Sequence, residues 1–242
     1  MTRGARPEVD AAPQAGNGLA RAGRSPSGRG RPTSWVRAGA IAGIVGPVAF
    51  TAAWIAAAAR QAGLSFSAPQ ISGLAADNAR DPWLMLGGFL VLGGCAIGFG
   101  AALAVALGAR PLAGWGPLAI QAAGVLTIAA GLLRRDHVLL TAGPQSWHNH
   151  AHDVVSAAAY VLLVATPLLL ARRFRRDPRW HRLALPLAIA AAASAALLVA
   201  FYAAPHDSWD ATLQRVAVSL PLAAVATVAV RLAWLARPVR TC

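Results

Sequence analysis

Residues 82–108 read PWLMLGGFLVLGGCAIGFGAALAVALG, and this stretch contains no charged side chain. A helix needs about 20 consecutive apolar residues to cross the ~30 Å hydrocarbon core of a bilayer. A strand of a membrane barrel is shorter, about 9–11 residues, and alternates in polarity, which this stretch does not. The stretch therefore predicts a membrane-spanning helix.

Five more runs of this kind occur in the 242-residue chain, at 35–59, 115–133, 153–171, 183–204 and 215–236. Hydrophobic residues make up 57% of the chain and charged residues only 13%. Soluble domains carry roughly 25% charged residues, so the main solvent of this chain is expected to be lipid. The predicted fold class is all-α, a polytopic membrane protein with a bundle of six transmembrane helices over residues 35–236.

The two ends of the chain differ from the apolar runs. Residues 1–34 are rich in Arg, Gly, Pro, Ala and Ser and show no periodic apolar pattern. Such a segment cannot bury enough apolar surface to offset the entropy lost on ordering. We predict a disordered cytoplasmic tail over 1–34 and a short cytoplasmic tail over 237–242.

The basic residues indicate an orientation. All of them are arginines, they give a formal net charge of +13, and most lie in the N-terminal tail and in the connector 172–182. Cytoplasmic segments of membrane proteins are enriched in such residues, so both termini are expected to be cytoplasmic in a bacterial cytoplasmic membrane. Because the arginines lie between apolar runs, the expected partners are the bilayer and its anionic headgroups, and not nucleic acid.

Most histidines and acids would then lie on the outer side, in three connectors. They are His137, His148, His150, His152, His206, Asp77, Asp81, Asp136, Asp153, Asp207 and Asp210. Six helices around one axis would bring these connectors together. We expect any ligand or reaction at this outer rim.

The densest part of the rim is WHNHAHD at 147–153. On a helix, His148 and His152 share one face at a spacing that can clasp a metal. With Asp136 as a ligand or base, these imidazoles would suit zinc, which makes His148 and His152 candidate metal ligands. The alternative is that the histidines are solvated and that Asp153 only favours the positive N-terminal end of the fourth helix.

Two pairings across the rim are further hypotheses. Asp136 and Arg215 could form a buried ion pair, although an arginine at a membrane boundary also commonly anchors at the interface. Ser72 could act as a nucleophile with His152 as its base, although no Gly-x-Ser-x-Gly turn is present. Residues 71–74 are expected to form a short helix over the rim.

Several short motifs carry a family resemblance: GIVGP at 43–47, ISGL at 71–74, Asp136, the pair His152-Asp153, and the pair Gln214-Arg215. With these motifs the chain resembles the bacterial domain-of-unknown-function 998 family over about 36–236. The resemblance implies a six-helix membrane protein and supplies no reaction. It nominates Ser72, Asp136, His152 and Arg215 as functional residues.

Three functions stay open. The first is a polar pocket for a small ligand or lipid headgroup, formed by Ser72, Asp136, His152, Asp153 and Arg215, with the first three as candidate catalytic residues. The second is a metal-dependent hydrolase of lipid or amide bonds, in which zinc lowers the pKa of a bound water. The third is a transporter, against which no apolar run carries an acid at its centre and no inverted repeat is visible.

Overall fold

The computed structural model describes residues 34–108, 114–139, 144–203 and 209–237. Within these ranges the chain is all-helical, and six helices are long and apolar enough to span a membrane. They are α1 (Ser34–Ala59), α2 (Pro82–Ala106), α3 (Trp115–Leu132), α4 (Trp147–Phe174), α5 (Ala184–Ala203) and α6 (Asp210–Leu235). The predicted fold class is confirmed. The tail predicted over 1–34, apart from Ser34, and residues 238–242 lie outside the described residues.

The six helices form a closed ring. Each packs against the next one along the chain, and α6 packs against α1. Helices that each cross a membrane in succession alternate in direction, so α1, α3 and α5 end on the side where α2, α4 and α6 begin. We call this the cavity end of the bundle.

The helix surfaces explain why the ring suits a lipid solvent. Large apolar side chains remain exposed on the outside, including Val48 on α1, Val161 on α4 and Leu185 on α5. A soluble monomer rarely exposes so much apolar surface. On the inside, small residues allow close packing: a Cβ added to Gly93 of α2 would lie 2.5 Å from the carbonyl oxygen of Gly124 on α3. Such contacts provide the van der Waals packing that holds membrane helices together.

Two helices begin earlier than the apolar runs predict. The run for α4 starts at 153, but the helix starts at Trp147, because the Ser146 hydroxyl accepts a hydrogen bond from the Asn149 amide at 3.2 Å. The run for α6 starts at 215, and that helix starts at Asp210. At α4 a capping side chain, and not hydropathy, sets the first residue of the helix.

The first connector, residues 60–81, folds into the cavity end. Its 3₁₀ turn, Ser72–Ala75, confirms the expected short helix, but the turn is buried instead of lying over the surface. The second connector at this end, between α3 and α4, is described over 133–139 and 144–146, and it comes so close to the first connector that a Cβ on Gly73 would lie 2.2 Å from the Val138 carbonyl oxygen. Only glycine fits there, and the two connectors are held in contact.

Candidate functional site

A polar cavity of about 290 Å³ lies at the cavity end, between the two connectors and helices α4, α5 and α6. Its walls combine hydroxyls, amides, an imidazole, a carboxylate and one guanidinium. They are formed by Gln70, Ser72, Arg135, Gln145, His152, Asp153, Ser156, Ala157, Tyr160, Phe201, Tyr202 and Gln214. A polar wall inside an apolar bundle is where a ligand site is expected.

Arg135 is the one cation in this wall. It is 5% exposed, and one guanidinium nitrogen donates to Gln70 Oε1 at 2.9 Å. Its Nε is buried without a hydrogen-bond partner, and no carboxylate lies within 4 Å of it in the part of the chain that the structure describes. Gln70 in turn donates to Asp210 Oδ2 at 3.0 Å. The Arg135 guanidinium therefore donates to a neutral amide, that of Gln70. The carboxylate of Asp210 accepts from the same amide.

Gln214 fixes the opposite wall. Its Oε1 accepts from the Ile71 amide at 2.7 Å, and its Nε2 donates to the Tyr160 hydroxyl at 2.9 Å. These bonds join α6 to the first connector and to α4. Because the Tyr160 oxygen accepts from Gln214, its own O–H stays available as a donor toward the cavity.

His152 has both ring nitrogens engaged. Its Nδ1 lies 2.8 Å from the carbonyl oxygen of Ala130 and 2.7 Å from that of Leu133. Carbonyl oxygens only accept, so Nδ1 carries the proton, and Nε2 of the neutral ring accepts from the Ser156 hydroxyl at 3.1 Å. His152 thereby satisfies the terminal carbonyls of α3, and its hydroxyl partner is Ser156 instead of the expected Ser72.

Ser72 lines the cavity from the buried 3₁₀ turn. Among the described residues its hydroxyl has no hydrogen-bond partner, so it is an available donor and acceptor at the cavity wall. Asp153, on the first turns of α4, lines the same cavity and accepts from Asn149 Nδ2 at 3.3 Å. Both sequence-predicted residues therefore share one site with His152.

Asp136 does not line this cavity. Its carboxylate accepts from the Ser146 hydroxyl at 2.6 Å and from the Ser146 amide at 2.8 Å, which closes the second connector onto the start of α4. These hydrogen bonds, helped by the nearby His148, hold the pKa of the Asp136 carboxyl below its usual range, against a smaller opposing effect of desolvation. Asp136 positions the connector that carries Arg135.

Arg215 lies in a separate enclosure. It is 7% exposed and donates to the Pro69 carbonyl oxygen at 2.9 Å. Its guanidinium carbon lies 5.0 Å from the ring centroids of both Trp54 and Phe66. The hypothesis of an Asp136–Arg215 ion pair is wrong, because each group is already held by partners of its own on different elements.

The structure brings together a different set of possible metal ligands from the predicted pair His148 and His152. The atoms that come within 4.8 Å of one another belong to Asp77, Asp136 and His148. His148 Nδ1 contacts the Arg134 carbonyl oxygen at 2.9 Å, and Arg134 pairs with Asp77 at 3.1 Å. A cation would have to displace these bonds. His148 and His152 share helix α4 as predicted but engage different carbonyls, and zinc binding stays a prediction.

The structure thus brings together three of the predicted site residues, Ser72, His152 and Asp153, and leaves Asp136 and Arg215 outside the cavity. His206 and Asp207 lie outside the described residues. The sequence analysis missed Arg135, Gln70, Ser156, Tyr160 and Gln214 as wall residues. The one available signal was the pair Arg134-Arg135 directly after an apolar run, where two adjacent arginines cannot both face the same side.

The chain was compared with known proteins. A family model described as a protein of unknown function (DUF998) matches residues 44–231. No curated protein matches the chain. No solved structure matches it either. The matched range covers most of α1 through α6, and the family resemblance drawn from the short motifs is confirmed.

Proposed function

Because the chain belongs to the DUF998 family, whose description names no activity, we propose its function from the cavity: the protein binds the anionic group of a small ligand or lipid headgroup, and Arg135 holds that group. The observation that carries the proposal is the buried guanidinium of Arg135, which no described carboxylate pairs.

Energetics favour an anion at this position. An unpaired buried charge costs several kcal/mol after relaxation. The Gln70 amide offsets only part of that cost, since an amide oxygen carries a partial charge. A phosphate or carboxylate group would form charge-assisted hydrogen bonds with the planar fork of Arg135. Binding an anion would therefore offset the cost of burying the charge of Arg135.

The other wall residues support a ligand with several polar groups. The hydroxyls of Ser72 and Tyr160 can donate to further ligand oxygens. Asp153 offers an acceptor in the same cavity, suited to a hydroxyl or ammonium group of the ligand. The combination favours a phosphate or carboxylate that also carries a hydrogen-bond donor.

The placement in the cell is a proposal as well. Arg172, Arg173, Arg175, Arg176, Arg179 and Arg182 lie at the end opposite the cavity. The positive-inside rule favours that end as cytoplasmic, in a bacterial cytoplasmic membrane. The cavity would then open toward the outer leaflet. A reporter that is active only in the cytoplasm, fused to the C-terminus, should be active; an inactive fusion in well-expressed protein would reverse the orientation.

The experiment that tests the proposal uses probes of matched size. Butyl phosphate and butanoate carry the anion, and butanol lacks it. Thermal unfolding of the full chain in neutral detergent should shift upward with the two anions, because a ligand that binds only the folded state stabilises it by mass action. Butanol should have no effect.

Two variants identify the cation. Arg135→Gln should lower the affinity for butyl phosphate about tenfold or more. Arg60→Gln removes the same charge from an exposed pair with Asp81 at the same end of the bundle and should leave the affinity unchanged. Equal binding of butyl phosphate to wild type and Arg135→Gln would refute the proposal.

A further inference from the structure

An apolar groove runs along the outside of the ring between α4 and α5, with a volume of about 790 Å³. Most of its α5 side is alanine, and its α4 side carries mainly larger apolar side chains. The wall consists of Ala157, Tyr160, Val161, Val164, Ala165, Leu168, Ala188, Ala191, Ala192, Ala195, Leu198, Val199, Tyr202 and Ala203. Because Val161, Leu168 and Val199 are exposed, the groove faces the hydrocarbon of the membrane.

The groove and the polar cavity share part of their walls. Ala157, Tyr160 and Tyr202 line both of them. Tyr160 presents its hydroxyl, held by Gln214, at the boundary, while its ring belongs to the apolar side. The polar cavity, with its buried cation Arg135, and the apolar groove therefore lie side by side, with these three side chains at their common boundary.

The groove is long enough for an acyl chain. On α4 it extends from Ala157 to Leu168, which at a rise of about 1.5 Å per residue is roughly 16 Å. On α5 it extends from Ala188 to Ala203, which is roughly 22 Å of the ~30 Å hydrocarbon core. A chain that starts at the cavity end and follows the whole groove would pass the bilayer midplane.

We propose that the ligand is an amphiphile with an anionic headgroup, whose headgroup occupies the cavity at Arg135 and whose acyl chain lies in the α4–α5 groove. This inference rests on the proposed function and adds the class of ligand and its route, sideways from the bilayer. Charge complementarity favours this occupant. Arg135 in the cavity would bind an anionic group, and the apolar α4–α5 groove would bind a hydrocarbon chain.

Ordinary contact with lipid tails does not account for this arrangement. Every outer face of a membrane helix touches acyl chains, and transfer from lipid into an apolar groove gains little free energy. Selectivity has to come from the contact between the headgroup and Arg135, because the groove itself has no charged side chain. Occupancy of the groove by the acyl chain should therefore depend on Arg135, although Arg135 does not line the groove.

The test is crosslinking of the full chain in phosphatidylcholine nanodiscs. The probe is dodecyl phosphate with a photoreactive diazirine near the last carbon, and labelled peptides are mapped by mass spectrometry. We expect the label to concentrate at the lower part of the groove, around Leu168 and Ala188. Dodecanol with the same diazirine, which lacks the phosphate, should label all lipid-facing helices evenly.

Three variants test the headgroup site and the acyl-chain groove separately. Arg135→Gln and the groove-filling Ala192→Trp should each reduce groove labelling about tenfold, the first by loss of charge-assisted hydrogen bonds and the second by steric exclusion. Ala196→Trp is the matched control: Ala196 is exposed on α5 but does not line the groove, and its labelling should equal that of wild type. Ala195→Leu is a milder filling variant if Ala192→Trp fails to fold.

The outcomes separate this inference from the proposed function. If butyl phosphate binds in an Arg135-dependent way but the dodecyl label spreads over all helices, the groove inference is wrong and the headgroup site stands. If Arg135→Gln changes neither butyl phosphate binding nor the labelling, the proposed function itself fails. Groove labelling lost in Arg135→Gln and Ala192→Trp, and kept in Ala196→Trp, supports both.

Discussion

Two arginines of this protein are almost equally buried but differ in what surrounds them. Arg215 is 7% exposed, donates to the Pro69 carbonyl and lies 5.0 Å from two aromatic rings. Arg135 is 5% exposed, donates to the Gln70 amide and lines a cavity of about 290 Å³. Both leave Nε buried without a hydrogen-bond partner, and neither has a carboxylate within 4 Å among the described residues. The difference is that aromatic rings of the protein cover the first guanidinium, whereas the second lines space that a ligand can fill. Burial alone therefore does not distinguish a structural arginine from a binding one.

The largest expected effect is on the stability of an Arg215 variant. Arg215→Met removes a buried charge that no described carboxylate pairs, but it also loses a hydrogen bond from a charged group and two cation–π contacts. Because these contacts cover the guanidinium, their loss should dominate and lower the free energy of unfolding by about 2 to 4 kcal/mol. Unfolding in detergent, followed by circular dichroism, measures this. Arg60→Met, which removes an exposed arginine, should change stability by less than about 1 kcal/mol. Equal losses of unfolding free energy in Arg215→Met and Arg60→Met would show that the contacts around Arg215 do not stabilise the fold.

The same substitution at Arg135 should behave differently. Arg135→Met removes an incompletely paired buried charge but leaves the Gln70 oxygen without its donor. These effects oppose each other, so without ligand the stability should stay within about 1 kcal/mol of wild type. The stabilisation by butyl phosphate should disappear. A loss as large as that in Arg215→Met would mean that Arg135 is structural as well.

Supplying Arg135 with an internal counterion should make it a weaker site for a ligand anion. Gln70→Glu places one carboxylate oxygen where the Gln70 oxygen contacts Arg135 at 2.9 Å and the other where Gln70 donated to Asp210 at 3.0 Å. Even if the two acids share a proton, the pair keeps a negative charge beside the guanidinium, so butyl phosphate binding should weaken about tenfold. Gln145→Glu adds the same charge to the wall of the same cavity without that contact. If both variants weaken binding equally, the general charge of the cavity matters and the specific pairing does not.

The smallest expected effect concerns the connector that carries Arg135. The Ser146 hydrogen bonds lower the pKa of Asp136 from its ordinary value of 3.8. Ionised Asp136 therefore stabilises the fold at pH above that value, and this contribution is lost as the pH falls through the lower folded-state pKa.

Asp136→Asn should unfold at a lower temperature than wild type at pH 7, and the difference should shrink below about pH 4. Thermal scans at several pH values between 3 and 7 measure this. A difference that does not change with pH would mean that the carboxylate charge is irrelevant to the connector. Binding of butyl phosphate at pH 7 should weaken a few-fold, because Arg135 lies on the same connector.

The metal-dependent hydrolase and transporter hypotheses stay predictions. Asp77, Asp136 and His148 approach one another, but each is already held by hydrogen bonds or an ion pair. Metal content of the untagged, purified protein would test the hydrolase. A flux assay in proteoliposomes would test the transporter.

The sequence predicted parts of the site and missed others for identifiable reasons. Ser72, His152 and Asp153 were found because hydroxyls, imidazoles and carboxylates are conspicuous beside apolar runs. Arg135 was missed because an arginine at the end of an apolar run is usually an interfacial anchor. Its partner Gln70 lies 65 positions away, and nothing local to either residue indicates the contact.

By itself the sequence determined that the chain forms six membrane-spanning helices, because each apolar run satisfies its own backbone hydrogen bonds and its length alone matches a bilayer. Only the tertiary structure decided which polar groups meet. Gln214 reaches Ile71 across 143 positions and thereby sets the wall of the cavity. Arg135 and Arg215, similar in sequence context, became different because the residues that enclose a buried charge come from elements distant in the chain, and their arrangement depends on how the six helices pack.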